Sequence, residues 1–158
     1  GINGGGGLVA AEAWHWHRAL LEEKGAQYDQ RVAARIRRGQ QQGAFDYIDL
    51  LDARARLIAT AKQRLAPFDA WLMPSVAILA PEVAPLEADD ATFFATNGLV
   101  LRNASVINFL DGCALSLPCH ADGELPVGLG ICALAGADDQ VLRIGRAVEA
   151  LLRGREKE

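Results

Sequence analysis

Apolar positions recur at helical spacing in five stretches and run together in three shorter ones. From Leu8 to Lys24, residues Val9, Ala13, Trp16, Leu20 and Leu21 keep a helical rhythm that Gly25 stops. Asp29 stands where an N-cap belongs, ahead of Val32 and Ile36, and Gly39 closes that short helix after Arg38. Phe45 to Leu65 is longer. Its stripe of Tyr47, Ile48, Leu51, Ala55, Ile58 and Leu65 opposes Arg54, Arg56, Lys62 and Arg64, and Pro67 forbids continuation. Thr92 to about Phe109 predicts a fourth helix. Asp138 is placed to cap a fifth, running to about Arg153 with Val141, Leu142, Ile144, Val148, Leu151 and Leu152 on its buried face.

The short apolar runs are of strand length and bounded by Pro and Gly: Ala70–Met73, Cys113–Leu117 and Val127–Leu134. They predict one sheet, its last two strands antiparallel neighbours joined through the Asp122-Gly123 turn. The helices near 8–24, 45–65 and 139–152 are expected to pack on it. Residues 74–92 carry Pro74, Pro81 and Pro85 with Glu82, Glu87, Asp89 and Asp90, which predicts a long irregular surface connection. The fold class is therefore α/β, a mixed sheet with packed helices. Three strands make a small sheet, so further strands elsewhere are expected to complete it.

Composition narrows the partners. The chain has 158 residues, the size of one domain, and is 51% hydrophobic and 23% charged. A net charge of −4 gives no basic footprint for nucleic acid. No apolar run approaches the roughly 18 residues of a membrane span, and no signal peptide opens the chain. Cys113, Cys119 and Cys132 lie in apolar runs and read as reduced core thiols, which places the protein in the cytoplasm. The chain opens Gly-Ile-Asn rather than with Met, as a processed chain, a cut chain or one missing its front part would. Gly4–Gly7 read as a flexible lead-in, and the tail from Arg155 to Glu158 should fray.

Candidate chemistry is sparse. His15 and His17 lie two apart on a helix, so they point about 200° apart and do not share an ion. Cys113, Cys119 and His120 lack paired metal-ligand spacing, so no metal is expected. Gly4–Gly7 lack the Gly-Lys-Ser/Thr of a phosphate loop, and Asp89-Asp90 and Asp138-Asp139 suit caps or solvent. The serines are Ser75, Ser105 and Ser116, none in Gly-x-Ser-x-Gly, and the lysines are Lys24, Lys62 and Lys157. Spacing alone assembles no catalytic set. Ser116 falls in a strand read as buried, and Ser75 follows a Pro beside a loop.

Five segments nevertheless resemble one family in series. Phe68-Asp69-Ala70-Trp71-Leu72-Met73-Pro74-Ser75 with Ala80-Pro81 is similar to a segment of the amidase signature family. Leu101 to Asn108, Ala114-Leu115-Ser116-Leu117-Pro118, Leu125-Pro126-Val127-Gly128-Leu129 and Asp139 to Glu149 resemble its following motifs in order. Glu12 to His17, Tyr28-Asp29 and Val32 to Gly39 are similar to its middle region. Departures are Cys113 in place of a Pro, Gly130 in place of a Gln, and Leu101 where the tRNA-dependent amidotransferase subunits carry an acid.

The resemblance implies an amidase-signature-like fold, with residues 1–158 as the C-terminal part of a single domain. It implies hydrolysis of a carboxamide by a Ser–cis-Ser–Lys set that lies upstream, so no catalytic residue is assigned within this chain. It places Arg102 and Asn103 at the substrate, Asn108 at the helix-to-strand turn, and implies no cofactor. The expected partners are a small-molecule amide and the chain's own N-terminal part or a second copy, without nucleic acid or membrane. A non-catalytic interaction module and a glutaminase subunit of a tRNA-dependent amidotransferase are the alternatives.

Overall fold

The computed structural model describes residues 6–155. Gly4 and Gly5 of the glycine run, and the tail beyond Arg155, lie outside the described residues. The chain divides into two compact units, Gly1–Leu57 and Ile58–Glu158.

The first unit is built on α1 (Gly7–Lys24) and α2 (Gln30–Arg37), each followed by a 3₁₀ turn, Gly25–Gln27 and Arg38–Gln41. Asp29 caps α2 as its position predicts: its carboxylate accepts from the backbone N–H of Arg31 at 2.9 Å and of Val32 at 3.0 Å. Leu21, Ala33 and Ile36 form the core, with Ala13, Trp14 and Tyr28 packed on it. Gly39 is buried where any Cβ would run into the Ala10 carbonyl, so it sets how closely the turn approaches α1. That approach corrects the expected faces. Ala33, not Val32, turns inward, and Val32 is 49% exposed. On α1 the buried positions are Gly7, Ala10 and Leu21, while Val9 and Trp16 face outward. A helix with apolar residues on several sides buries whichever face has small residues at the closest contact.

Helix α3 (Ala44–Leu65) ends two residues before Pro67 and has no buried residue. Its expected apolar stripe is present but open, with Ile48 55% and Leu51 43% exposed.

The second unit holds all three expected strands: β1 (Trp71–Pro74), β2 (Cys113–Pro118) and β3 (Gly128–Ala133). They form one antiparallel sheet in the order β1-β3-β2, so β2 and β3 are neighbours as predicted. The register pairs Leu72 and Leu115 with Ile131, and Met73 and Ser116 with Gly130. Alternation then sorts the sheet into two faces. One carries Leu115, Leu117, Ile131 and Ala133 and packs on Val141, Ile144, Val148 and Leu152 of α6 (Asp138–Arg155). Gly145 lets α6 settle there, because a Cβ would collide with Leu115. Gln140 Nε2 donates to the Asp69 carbonyl at 2.8 Å and ties α6 to the entry of β1. Asp138 is the first residue of α6 rather than the residue before it. Of the three helices expected on the sheet, α6 is the one that completes its core; α1 is spent in the first unit.

The connection from 74 to 92 is more ordered than its prolines suggest. It contains α4 (Val83–Ala88), in which Pro85 falls in the first turn and forfeits no helical bond. Then α5 (Asp90–Phe109) begins, capped by Asp89, whose carboxylate accepts from Thr92 N–H at 2.7 Å. The α5-to-β2 turn is held by backbone: Gly112 N–H donates to the Ile107 carbonyl at 2.9 Å, and Asp111 takes a positive φ of 60°. Short polar Asp tolerates that conformation.

Candidate functional site

The second sheet face is made of different material. Met73 on β1, Ala114 and Ser116 on β2, and Gly128, Gly130 and Cys132 on β3 all turn toward it. Apart from Met73, and Trp71 in register with Cys132, the side chains on this face are small and leave space beneath a helix. Asn103, Ala104, Ile107 and Asn108 of α5 stand opposite, and a cavity of about 330 Å³ lies between.

Two serines meet at its rim. Ser75 extends β1 by one rung, its N–H donating to the Gly128 carbonyl at 2.8 Å. That rung brings Ser75 Oγ to 2.6 Å from Ser116 Oγ. Gly128 makes the meeting possible, since a Cβ there would lie 2.5 Å from Ser116 Oγ and 2.7 Å from Ser75 Oγ. Ser116, expected in a buried strand, is exposed, because β2 buries only its other face.

Asn103 lines the cavity and is only 8% exposed. Its Nδ2 donates to the Pro74 carbonyl at 2.7 Å, fastening α5 to the end of β1. Its Oδ1 accepts from Arg102 Nε at 3.3 Å. A buried amide with both ends bonded fixes the wall in place. Arg102 itself is exposed and not among the cavity-lining residues. Asn108 lines the cavity, and its carbonyl accepts from Asp111 N–H at 3.3 Å in the turn.

The thiols divide. Cys132 is buried in the cavity wall, and Cys113 packs with the core on the opposite face. Cys119 is exposed, against the expectation of a core thiol, because it lies beyond the end of β2. Burial, with Cys113 a smaller contributor, pushes the Cys132 thiol pKa up, so it stays protonated and is a poor nucleophile. Among the described residues no Lys, His or carboxylate lines the cavity. The arrangement can hold a polar group against two hydroxyls.

Elsewhere, His17 Nδ1 is 2.8 Å from the Tyr28 hydroxyl, an edge-to-face structural contact. Ser105 Oγ donates to the Leu101 carbonyl at 2.7 Å. Among the described residues no three His, Cys, Asp or Glu side chains cluster as a metal site would. A wider groove of about 700 Å³ lies between residues 67–72 and α6, more open and without convergent hydroxyls.

Asn103, expected at the substrate, lines this cavity, as do Ser75, Ser116, Gly130 and Cys132, which sequence reasoning did not place together. The signal for them was the alternate glycines Gly128 and Gly130, which mark a strand face approached closely by its neighbours.

Residues 7–142 match the family model described as Amidase. An uncharacterized protein in the nthA 5' region of Rhodococcus erythropolis is 32% identical over 87 residues, 55% of this chain and 44% of that protein. A fatty acid amide hydrolase of Medicago truncatula is 29% identical over 110 residues, 68% of this chain and 18% of that protein. A solved amidase crystal structure superposes with a TM-score of 0.71 at 26% identity, covering 90% of this chain and 33% of that one. The chain thus spans less than half the length of each of these proteins. With the match to the family model covering most of the chain, and with the motif series and the superposed fold beside it, the chain belongs to the amidase family.

Proposed function

We propose that residues 1–158 are the C-terminal part of an amidase-type hydrolase that cleaves carboxamide C–N bonds. The carrying observation is the superposition: nine-tenths of this chain follows one-third of an amidase fold. The remaining fold would carry the Ser–cis-Ser–Lys set. There a serine attacks the amide carbonyl, the C–N bond breaks with protonation of the departing nitrogen, and water releases the acyl group as the acid. The named activity of the Medicago relative supports a carboxamide substrate.

The part played by this chain is to wall the substrate site. The absence of a base from the cavity lining supports a binding role for that surface. Asn103 holds the α5 wall to β1, and Arg102, an exposed residue, braces Asn103 from outside. Unpaired thiols suit the cytoplasm. No described helix is long and apolar enough to cross a membrane.

Ammonia release from simple alkyl and aryl amides tests this. Residues 1–158 alone should give none above background, and the same chain joined to an amidase N-terminal part should turn over. In that longer protein Arg102→Ala should raise KM more than it lowers kcat. Turnover by the isolated chain that Ser75→Ala or Ser116→Ala abolishes would overturn the assignment of catalysis upstream. An unchanged KM would remove Arg102 from the substrate.

A further inference from the structure

We propose that the cavity between α5 and the sheet binds a small neutral carboxamide, its apolar group inside and its amide held at the rim by the Ser75–Ser116 hydroxyl pair. The choice of a carboxamide rests on the amidase-type function above; the rest follows from the cavity.

Hydrogen-bond inventory selects the polar group. Two hydroxyls carry two protons, and one of them is spent in the 2.6 Å bond between the oxygens. One donor and several lone pairs remain, side by side. An amide presents an acceptor carbonyl and a donor N–H in the same close juxtaposition, so it meets both. A carboxylate offers acceptors only and an ammonium donors only. The walls select against charge as well, because no ionised side chain lines the cavity, and a charge entering it would lose water without gaining a partner.

Size and shape select the apolar part. A cavity near 330 Å³ stands at the small end of ligand sites. Met73 and Ile107, with Ala104 and Ala114, supply its apolar lining and Cys132 a neutral one. Gly130 keeps it open: a Cβ there would come within 2.9 Å of the Met73 carbonyl. The glycine adds no side chain to the sheet face at this point of the lining.

The test is binding to residues 1–158, followed through backbone amide resonances. The probes are benzamide, benzoate and benzylammonium, which share a ring and differ at the polar group. Benzamide should shift Ser75, Asn103, Ser116 and Gly130, and the two charged probes should bind roughly tenfold or more weakly. The double variant Ser75→Ala/Ser116→Ala should weaken benzamide about three- to tenfold. Ala104→Phe, which fills the cavity from the exposed side of its wall, should abolish the shifts. The spectrum of each variant reports whether it is folded, and the two variants perturb opposite walls. Equal binding of the charged probes, no shifts with benzamide, or full affinity in the folded double variant would overturn the proposal. Amide hydrolysis by the longer protein without these shifts would reject the pocket and leave the amidase assignment standing. Benzamide binding here with no hydrolysis by the longer protein would reject the assignment and leave the pocket.

Discussion

A single buried thiol illustrates what one residue senses in this fold. Cys132 sits in the cavity wall with its pKa raised chiefly by burial. The folded state therefore holds this proton more tightly than the unfolded chain does. Below the ordinary thiol range both states are protonated and the contribution to stability is complete. Above it the unfolded chain ionises first, and stability falls with rising pH until the folded thiol ionises too. Urea midpoints measured from neutral into alkaline pH should decline more in the wild type than in Cys132→Ala, and equal slopes would show that this thiol is not the sensor. Some residue roles were legible and some were not. Asp29 reads as a cap because a cap is local, a carboxylate within three residues of the N–H it accepts from. Ser75 and Ser116 lie 41 positions apart, and only the sheet register joins them. No local pattern carries that information.

Elements were more legible than the faces they bury. All three strands and the long helices follow from the length and spacing of apolar runs, because a short run between Pro and Gly has few alternatives. Which side of a helix turns inward depends on the partner, and partner geometry is tertiary. Hence Ala33 displaced Val32, and α3 kept its stripe but buried none of it. Helix α4 was missed because six residues with a proline give too little periodicity to see. The sheet is where the second unit's stability concentrates. Ile131 is fully buried at the centre of β3, between Leu72 and Leu115 and under α6. Ile131→Ala should cost about 2–5 kcal/mol, since neighbours fixed by two strand ladders and a helix cannot collapse into the gap. Val32→Ala, at a half-exposed helical site, should stay within about 0.5 kcal/mol. Chemical denaturation of both variants checks the contrast, and comparable losses would mean that the α6 interface is not the main core.

At the scale of the whole molecule the imbalance lies between core and surface. Few described side chains are fully buried: Ala33 and Ile131 sit in two small clusters, one per unit, and Cys132 in the cavity wall. Large apolar side chains remain open to solvent instead: Trp16 at 78%, Phe45 at 84%, Leu72 at 60% and others. Single exposed apolar residues are ordinary, but on α3 Phe45, Ile48 and Leu51 follow one another at helical spacing and make a continuous strip. The sheet adds a second source of attraction. In a three-stranded sheet ordered β1-β3-β2, both outer strands present an edge within this sheet. Apolar strips and sheet edges both gain by association. Residues 1–158 should therefore self-associate as concentration rises, or bind a separately supplied amidase N-terminal part. The contacts would be mainly apolar, so added sodium chloride should not dissolve them as it would an ion-paired interface. Placing charges on the strip, as in Phe45→Glu with Ile48→Lys, should reduce association while leaving the helical circular dichroism intact, because neither residue is buried. Sedimentation velocity over a wide concentration range decides the matter. A wild-type chain that stays monomeric throughout and ignores the N-terminal part would show that these surfaces are tolerated by a self-sufficient module.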